Sequence, residues 1–383
     1  MINSPTFETL ETPAAVVDLE RMRANLARTA AYCREHGLAW RPHVKTHKSP
    51  ELAAEQVHAG AIGVTVATPR EAEVMAGAVE DILLAYPPVG ASKLERLMAL
   101  PEAVRLTVGL DSSAALQALA QSARRSGRQV GVLVELDVGL HRVGLQSPAA
   151  AVALAGEAAE LEGIDYRGIM FYPGHIRGPV ESQGAEIAAL SAFLAPFLDA
   201  LEAAGLTPEV VSGGSTPTLW RSHEIEGLTE VRPGTNIFND RTTAAIGACG
   251  WEECAYTVLA TVVSTAVPGQ AVVDAGSKAL AKEELRAEGG GFGALLDRPE
   301  VVVKALSEEH GILDLSGTGW RPEVGERVRI VPNHVCVSVN LQERLWAMRD
   351  GRILGAREVP GRGRGPASRR EQETDVVRGL ADG

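Results

Sequence analysis

The amino-acid sequence predicts an α/β chain: a TIM-type (β/α)8 barrel followed by a second, mostly-β domain. Three observations carry this. Eight short apolar runs between residues 40 and 231 alternate with helical patterns, and strands that alternate with helices build a parallel sheet. No G-x-G-x-x-G loop opens the first unit, which favours closure into a barrel over a doubly wound open sheet. After about Ala245 the rhythm changes, and β-branched runs follow one another with few helices between them.

In chain order, residues 1–11 read as an extended lead-in. The run Ala14-Ala15-Val16-Val17 comes next, and Asp18 caps a helix over 19–36. The barrel strands are expected at 40–44, 63–67, 82–85, 106–110, 130–136, 166–171, 209–211 and 230–231. Helical patterns at 50–58, 70–78, 112–125, 148–161 and 181–204 separate most of them. The β-rich part shows runs at 256–267, 271–274, 301–306, 327–331 and 344–348, with Asp350-Gly351 as a hairpin turn. The expected division is therefore a barrel over 12–245 and a β domain over 246–360 that residues 1–11 join. Residues 361–383, rich in Arg, Gly and charge, read as a flexible tail.

Composition narrows the function. A chain of 383 residues with 45% hydrophobic content has room for two domains and a substantial core. Its net charge of -12 argues against a nucleic-acid partner. No apolar stretch is expected to reach the length of a membrane span, and the N-terminus lacks a signal-peptide layout. Cys33, Cys249, Cys254 and Cys336 are scattered without a C-x-x-C pair, as expected of reduced thiols in a cytoplasmic protein.

In a TIM barrel the chemistry sits at the C-terminal ends of the strands. Those positions hold Lys45 with His43 and His47; Asp137, His141 and Arg142; then Tyr172 and His175. Next come Ser212-Gly213-Gly214-Ser215-Thr216-Pro217-Thr218 and Arg232-Pro233-Gly234-Thr235. Most lysines decorate solvated faces, but a lysine at a barrel mouth has a partly desolvated amine suited to Schiff-base chemistry. A Gly-Ser-Thr loop is often only a turn. Two of them after the seventh and eighth strands match where TIM barrels bind phosphate, through backbone amides and hydroxyls. Phosphate loops facing a strand-one lysine are the layout that pyridoxal phosphate needs. Arg142 is then a partner for the cofactor's phenolate oxygen, or else a surface ion pair. A second constellation is Pro332-Asn333-His334-Val335-Cys336. On an extended segment, positions two apart face the same side, so imidazole and thiolate could grip one divalent cation. The plainer reading is a buried Cys and an incidental His.

The chain resembles the fold-type III pyridoxal-phosphate enzymes, an alanine-racemase-like barrel plus a β domain, and among them the D-threonine aldolase and D-serine dehydratase group. The motifs that carry this are 41–48 (Arg-Pro-His-Val-Lys-Thr-His-Lys), 212–217, 232–235, Asp274-Ala275-Gly276-Ser277-Lys278-Ala279 and 332–336. The resemblance implies Lys45 as the Schiff-base lysine. It further implies that the loops at Ser212, Gly213, Gly214, Ser215, Thr216, Gly234 and Thr235 hold the phosphate, with Arg142 and Tyr172 beside the cofactor. His334 and Cys336 become ligands of a divalent metal, zinc ahead of manganese or magnesium. Asn236 stands where relatives often carry Tyr, and Cys336 where several aldolases carry Asp. The implied activity is a metal-dependent lyase acting on D-β-hydroxy-α-amino acids, working as a homodimer. A D-threonine aldolase releases glycine and an aldehyde; a D-serine dehydratase releases a keto acid and ammonia. His175 and His43 are candidates for the assisting base, and each is equally readable as a structural histidine. Remoter readings are an amino-acid racemase, for which Tyr256 is the only tyrosine available in the β domain, and a non-catalytic cofactor-binding protein.

Overall fold

The computed structural model describes residues 6–285 and 287–368. The chain begins with strand β1 (Ala14–Asp18) and helix α1 (Leu19–Glu35). The barrel elements follow: β2 (Ala39–Trp40), α2 (Pro50–His58), β3 (Val64–Val66), α3 (Pro69–Met75), β4 (Asp81–Leu84), α4 (Ala91–Met98), β5 (Arg105–Leu110), α5 (Ser113–Arg125), β6 (Val130–Leu136), α6 (Pro148–Glu160), β7 (Ile164–Phe171), α7 (Gly184–Ala203), β8 (Val210–Gly213) and β9 (Glu230–Val231). The helices start where short polar side chains satisfy first-turn amides. Ser49, Thr68, Ser112 and Ser147 accept from Leu52, Glu71, Ala115 and Ala150, and a proline opens α2, α3 and α6.

The eight expected barrel strands are all present. They pair in parallel in the order β2-β9-β8-β7-β6-β5-β4-β3, and a parallel bridge between His43 and Thr65 joins the two ends. The sheet is therefore a closed TIM-type barrel. β6 is buried along its whole length, as a strand between two covered faces must be.

The rest of the chain holds α8 (Arg241–Ala245), β10 (Tyr256–Ser264), β11 (Gln270–Val273), α9 (Ser277–Leu280), β12 (Gly293–Leu295), β13 (Arg298–Leu306), β14 (Gly311–Asp314), β15 (Arg327–Pro332), α10 (Val335–Leu341), β16 (Arg344–Arg349) and β17 (Arg352–Glu358). Pairing of β10 with β11 closes β11, β14, β13, β12, β15 and β10 into an antiparallel barrel. β1 extends it beside β10, and β16 and β17 follow. Leu10, Ala14, Val16, Leu259, Met348 and Ile353 form a core cluster here, with Phe7 packed against it.

Two compact units result, one of residues up to Arg28 with Thr235–Val359, the other of Thr29–Gly234 with residues from Pro360 on. The chain divides at Thr235 rather than after 245. α8 and its flanks are tied to the β-rich unit: the Thr242 hydroxyl donates to the Asn333 carbonyl at 2.7 Å, and Arg241 donates to the Gly290 carbonyl at 2.6 Å.

Three readings of the sequence need correction. The segment 334–336 is not extended: His334 caps α10 and Cys336 lies in its first turn. α7 has 20 residues and a mean hydropathy of 1.5, long and apolar enough by that measure to cross a membrane. Its apolarity comes from alanines together with a face of Ile187, Leu190, Leu194, Phe197 and Leu201 buried within the unit. Finally, 361–367 is not loose, because the backbone there is hydrogen-bonded to Arg70, Arg96, Glu73 and Lys48. The remainder of the expected tail, 369–383, lies outside the described residues.

Candidate active site

β2 ends at Trp40, and the chain then bridges to β3 at His43 before a 3₁₀ turn, Val44–Thr46, presents Lys45. The His43 amide donates to the Pro233 carbonyl at 2.9 Å, so the lysine turn is fixed to the loop after β9. Lys45 is half-buried, with Nζ 6.0 Å from the centre of the Tyr172 ring. The Arg142 guanidinium lies 5.0 Å from the same ring. Tyr172 thus has two cations near its ring, which its π face attracts. Glu135, buried beneath, lies 4.0 Å from Arg142. Burial raises its pKa, against the opposing pull of Arg232 and Arg142.

The flanking histidines are neutral. Burial lowers the pKa of His47 to about 4. Its Nδ1 accepts from the Ser49 amide at 3.1 Å while Nε2 donates to the Gln56 side chain at 3.0 Å, so both nitrogens have structural duties. His43 is held well below 6.5 by burial, then by the charges of Lys45 and Arg232. Its Nδ1 is buried without a protein partner among the described residues. An orphaned acceptor of this kind calls for an explanation such as an absent bound group.

The two loops expected to hold phosphate interlock with this turn. Gly213 packs so closely on Phe171 that a Cβ would stand 2.3 Å from the ring, and Gly214 has φ +77°. The Ser215 amide donates to the Thr218 hydroxyl at 3.1 Å, and the Gly234 amide to the Thr216 hydroxyl at 3.2 Å. A Cβ on Gly234 would come within 2.7 Å of the His43 carbonyl. Ser212 is engaged elsewhere. Its hydroxyl contacts Glu230 and Arg232, and Arg232 also donates to the Phe171 carbonyl at 2.7 Å. A lysine amine beside a ring-and-guanidinium shelf, small residues at close approach and an orphaned imidazole nitrogen fit pyridoxal phosphate. Lys45 would hold it covalently, Gly213, Gly214, Thr216 and Gly234 would contact its phosphate, and Arg142 and Tyr172 would flank its ring.

His175, by contrast, is exposed and packs over Gly139 in the loop after β6. In that loop Asp137 accepts from the His141 amide at 2.9 Å and from the Gln146 side chain at 2.9 Å. These hydrogen bonds outweigh burial and lower its pKa to about 2. It is a loop organiser.

In the β-rich unit, His334 and Cys336 straddle the start of α10. Burial pushes the His334 pKa down, but the Cys336 and Asp240 charges and hydrogen bonds reverse this and raise it to about 11. Asp240 is buried and accepts at Oδ2 from the Val335 amide at 3.1 Å, with His334 Nδ1 at 3.4 Å. Its Oδ1 caps α8 by accepting from the Thr243 amide at 2.8 Å. Thr235, expected at the phosphate, places its hydroxyl 3.8 Å from Cys336 Sγ. Among the described residues no cluster of three or more His, Cys, Asp and Glu could hold a metal, so this pair offers two protein donors. Imidazole plus thiolate, with a carboxylate orienting the imidazole, nonetheless suits a divalent metal that takes its other ligands from solvent or substrate. Reading the sequence missed Asp240. Its only signal was an Asp placed to cap a short helix, in Asp240-Arg241-Thr242-Thr243.

Tyr256, which a racemase would need as a base, is fully buried. Its hydroxyl is 2.8 Å from that of Ser338, and burial raises its pKa far above the usual range.

Comparison with known proteins agrees with this architecture. The alanine racemase N-terminal domain family matches residues 17–242, and a serine dehydratase domain matches 255–348. A D-threonine aldolase of Arthrobacter sp. is 32% identical over 92% of this chain and 93% of its own length. A D-threo-3-hydroxyaspartate dehydratase of Delftia sp. strain HT23 is 36% identical over 87% of this chain and 93% of its own. Among solved structures, a D-threonine aldolase from Filomicrobium marinum superposes with a TM-score of 0.86 at 31% identity, covering 93% of this chain and 97% of that one. A Cys-to-Ala mutant of a D-threo-3-hydroxyaspartate dehydratase, in the metal-free form, gives 0.84 at 34% identity, covering 94% and 100%. A His-to-Ala mutant two positions earlier in that enzyme's chain gives 0.83 at 34%, covering 94% and 97%. This chain belongs to the alanine racemase N-terminal domain family, among the pyridoxal-phosphate-dependent lyases that carry the serine dehydratase domain.

Proposed function

We propose that this enzyme cleaves a D-β-hydroxy-α-amino acid of the threonine type to glycine and an aldehyde, with a divalent metal, zinc by preference, on His334 and Cys336. The observation that carries the metal is the imidazole–thiolate pair held by buried Asp240. The mutated His and Cys positions of the related dehydratase have the same order and spacing, and its Cys mutant is described as metal-free. Asp240 keeps Nδ1 of His334 engaged and leaves Nε2 for the metal.

Bound pyridoxal phosphate supplies an electron sink at the substrate's Cα. Lys45 would hold it through its amine. Gly213, Gly214 and Gly234 would hold its phosphate, and Arg142 and Tyr172 would flank its ring. His43, neutral and with Nδ1 unpaired, can accept the β-hydroxyl proton there while the Cα–Cβ bond breaks. Zinc on His334 and Cys336 would supply Lewis acidity, which lowers the pKa of a hydroxyl it coordinates.

A second reading is a dehydratase, favoured by the thiolate in the pair and by the 36% identity to the Delftia enzyme. There Lys45 would take the Cα proton and hydroxide would leave from Cβ; the released enamine tautomerises to an imine, which water hydrolyses to a keto acid and ammonia. The deciding experiment offers D-threonine, D-serine and D-threo-3-hydroxyaspartate to the metal-analysed enzyme. Glycine with an aldehyde supports the aldolase. A keto acid with ammonia replaces it with the dehydratase, and full activity after complete metal removal sinks the metal assignment for both.

A further inference from the structure

Three positions beyond Lys45, the chain does something the cofactor chemistry does not require. Lys48 adopts a left-handed backbone conformation, φ 54°, which non-glycine residues hold only when their surroundings enforce it. Its ammonium is buried, 2.6 Å from Glu71 Oε1, and the other oxygen of Glu71 accepts from the Ala67 amide at 2.7 Å. The Lys48 amide donates to the Val44 carbonyl at 2.8 Å, which closes the turn bearing Lys45. From the far end of the chain, the Gly361 amide donates to the Lys48 carbonyl at 3.1 Å. That approach is so close that a Cβ on Gly361 would lie 2.9 Å from Lys48 Cβ and 3.0 Å from its carbonyl oxygen.

The segment that delivers Gly361 is itself anchored. Arg70 donates to the Pro360 carbonyl at 2.9 Å and to that of Pro366 at 2.9 Å. Arg96 donates to the carbonyls of Arg364 and Gly365, both at 3.1 Å. Glu73, paired with Arg96 at 2.6 Å, accepts from the Ala367 amide at 2.7 Å. A stretch of Arg and Gly without apolar anchors is thus laid along α3 and α4 by its own backbone.

We propose that Lys48 is a positioning residue for Lys45, and that residues 360–367 form a strap whose Gly361 locks the turn 44–48. Lys48 touches no reacting atom. It acts through backbone: ion pair to Glu71 on one side, strap on the other, with the turn clamped between them. The proposal rests on Lys45 being the cofactor lysine. A small displacement of such a group costs rate more than affinity.

The test compares the holoenzyme with Gly361→Ala, Glu71→Gln and a chain ending at Val359. Bound cofactor is followed by its visible absorbance and the turn by amide hydrogen exchange at 44–48. The expected result is that all three variants keep the colour, while kcat falls roughly tenfold to a hundredfold with KM changed less than about twofold. The midpoint of the absorbance pH titration moves, and exchange at 44–48 rises. Gly361→Ala carries the test if the shortened chain fails to fold. Unchanged kcat, pH titration and amide exchange in a folded Gly361→Ala enzyme overturn the strap. Colour retained in a Lys45→Ala chain would instead overturn the lysine assignment, and exchange at 44–48 would still decide whether the strap holds the turn.

Discussion

The lysine turn and the imidazole–thiolate pair are both short segments that follow a strand, yet they are held in opposite ways. Around Lys45 the restraints are many and mostly backbone: the His43 bridge to β3, the Pro233 carbonyl, the Lys48–Glu71 ion pair and Gly361. Around His334 one carboxylate, Asp240, caps α8, binds the Val335 amide and faces the imidazole. A group that makes and breaks a covalent bond with its cofactor gains from redundancy, because its position matters to the rate. A metal ligand can rest on fewer protein restraints because the metal itself completes the geometry when it binds.

The largest effect should come from removing the covalent anchor. Lys45→Ala is expected to lose about 10²–10⁴-fold in kcat and all of the cofactor's visible absorbance, read in one purification. Colour surviving in that variant would give the anchor to another lysine.

Next is acid. In the folded chain the His47 ring stays neutral down to about pH 4, whereas an unfolded histidine takes up its proton near 6.5. Between those values the unfolded state holds the extra proton. His47 therefore contributes stability that is full above 6.5 and declines by about 3 kcal/mol as pH falls to 4. Denaturant midpoints from pH 7 to 4.5 should fall less steeply for His47→Gln than for the parent, and equal slopes would remove His47 from the account.

On the metal side, Asp240→Asn should weaken zinc binding about 10–100-fold by competitive titration, with the cofactor colour untouched. Unaltered affinity would show that the pair orients without its carboxylate. The smallest effect is expected at Tyr256→Phe. Losing its hydrogen bond to Ser338 should cost about 1 kcal/mol of stability and leave kcat nearly unchanged. A large loss of kcat there would reopen the racemase reading.

The two regions also differed in how readable they were. The barrel announced itself because apolar runs and helical patterns alternate, and the positions after the strands then located Lys45, Arg142, Tyr172 and the glycine loops. The β-rich unit was harder. β12 (Gly293–Leu295) is three residues long, and β14 (Gly311–Asp314) is four, too short for periodicity to speak. Val335-Cys336-Val337-Ser338-Val339 alternates like a strand but folds as α10. Its first amide is satisfied by Asp240, ninety-odd positions upstream, which local propensity cannot register. The strap was hidden for a related reason. Its hydrogen bonds run from Arg70 and Arg96 to backbone carbonyls, and a carbonyl leaves no mark on the residue type that bears it.

The place of β1 has a consequence for how the chain is made. It precedes the whole barrel in the chain, but Val17 pairs with Tyr256 and Val16 with Trp346. Through synthesis of the whole barrel, β1 has neither neighbour. Both of its edges, on a buried and apolar strand, stay open until the segments around Tyr256 and Trp346 have been made. The time most exposed to misassociation in this protein's life is set by the length of the insert between a strand and its partners, not by the stability of either unit once folded.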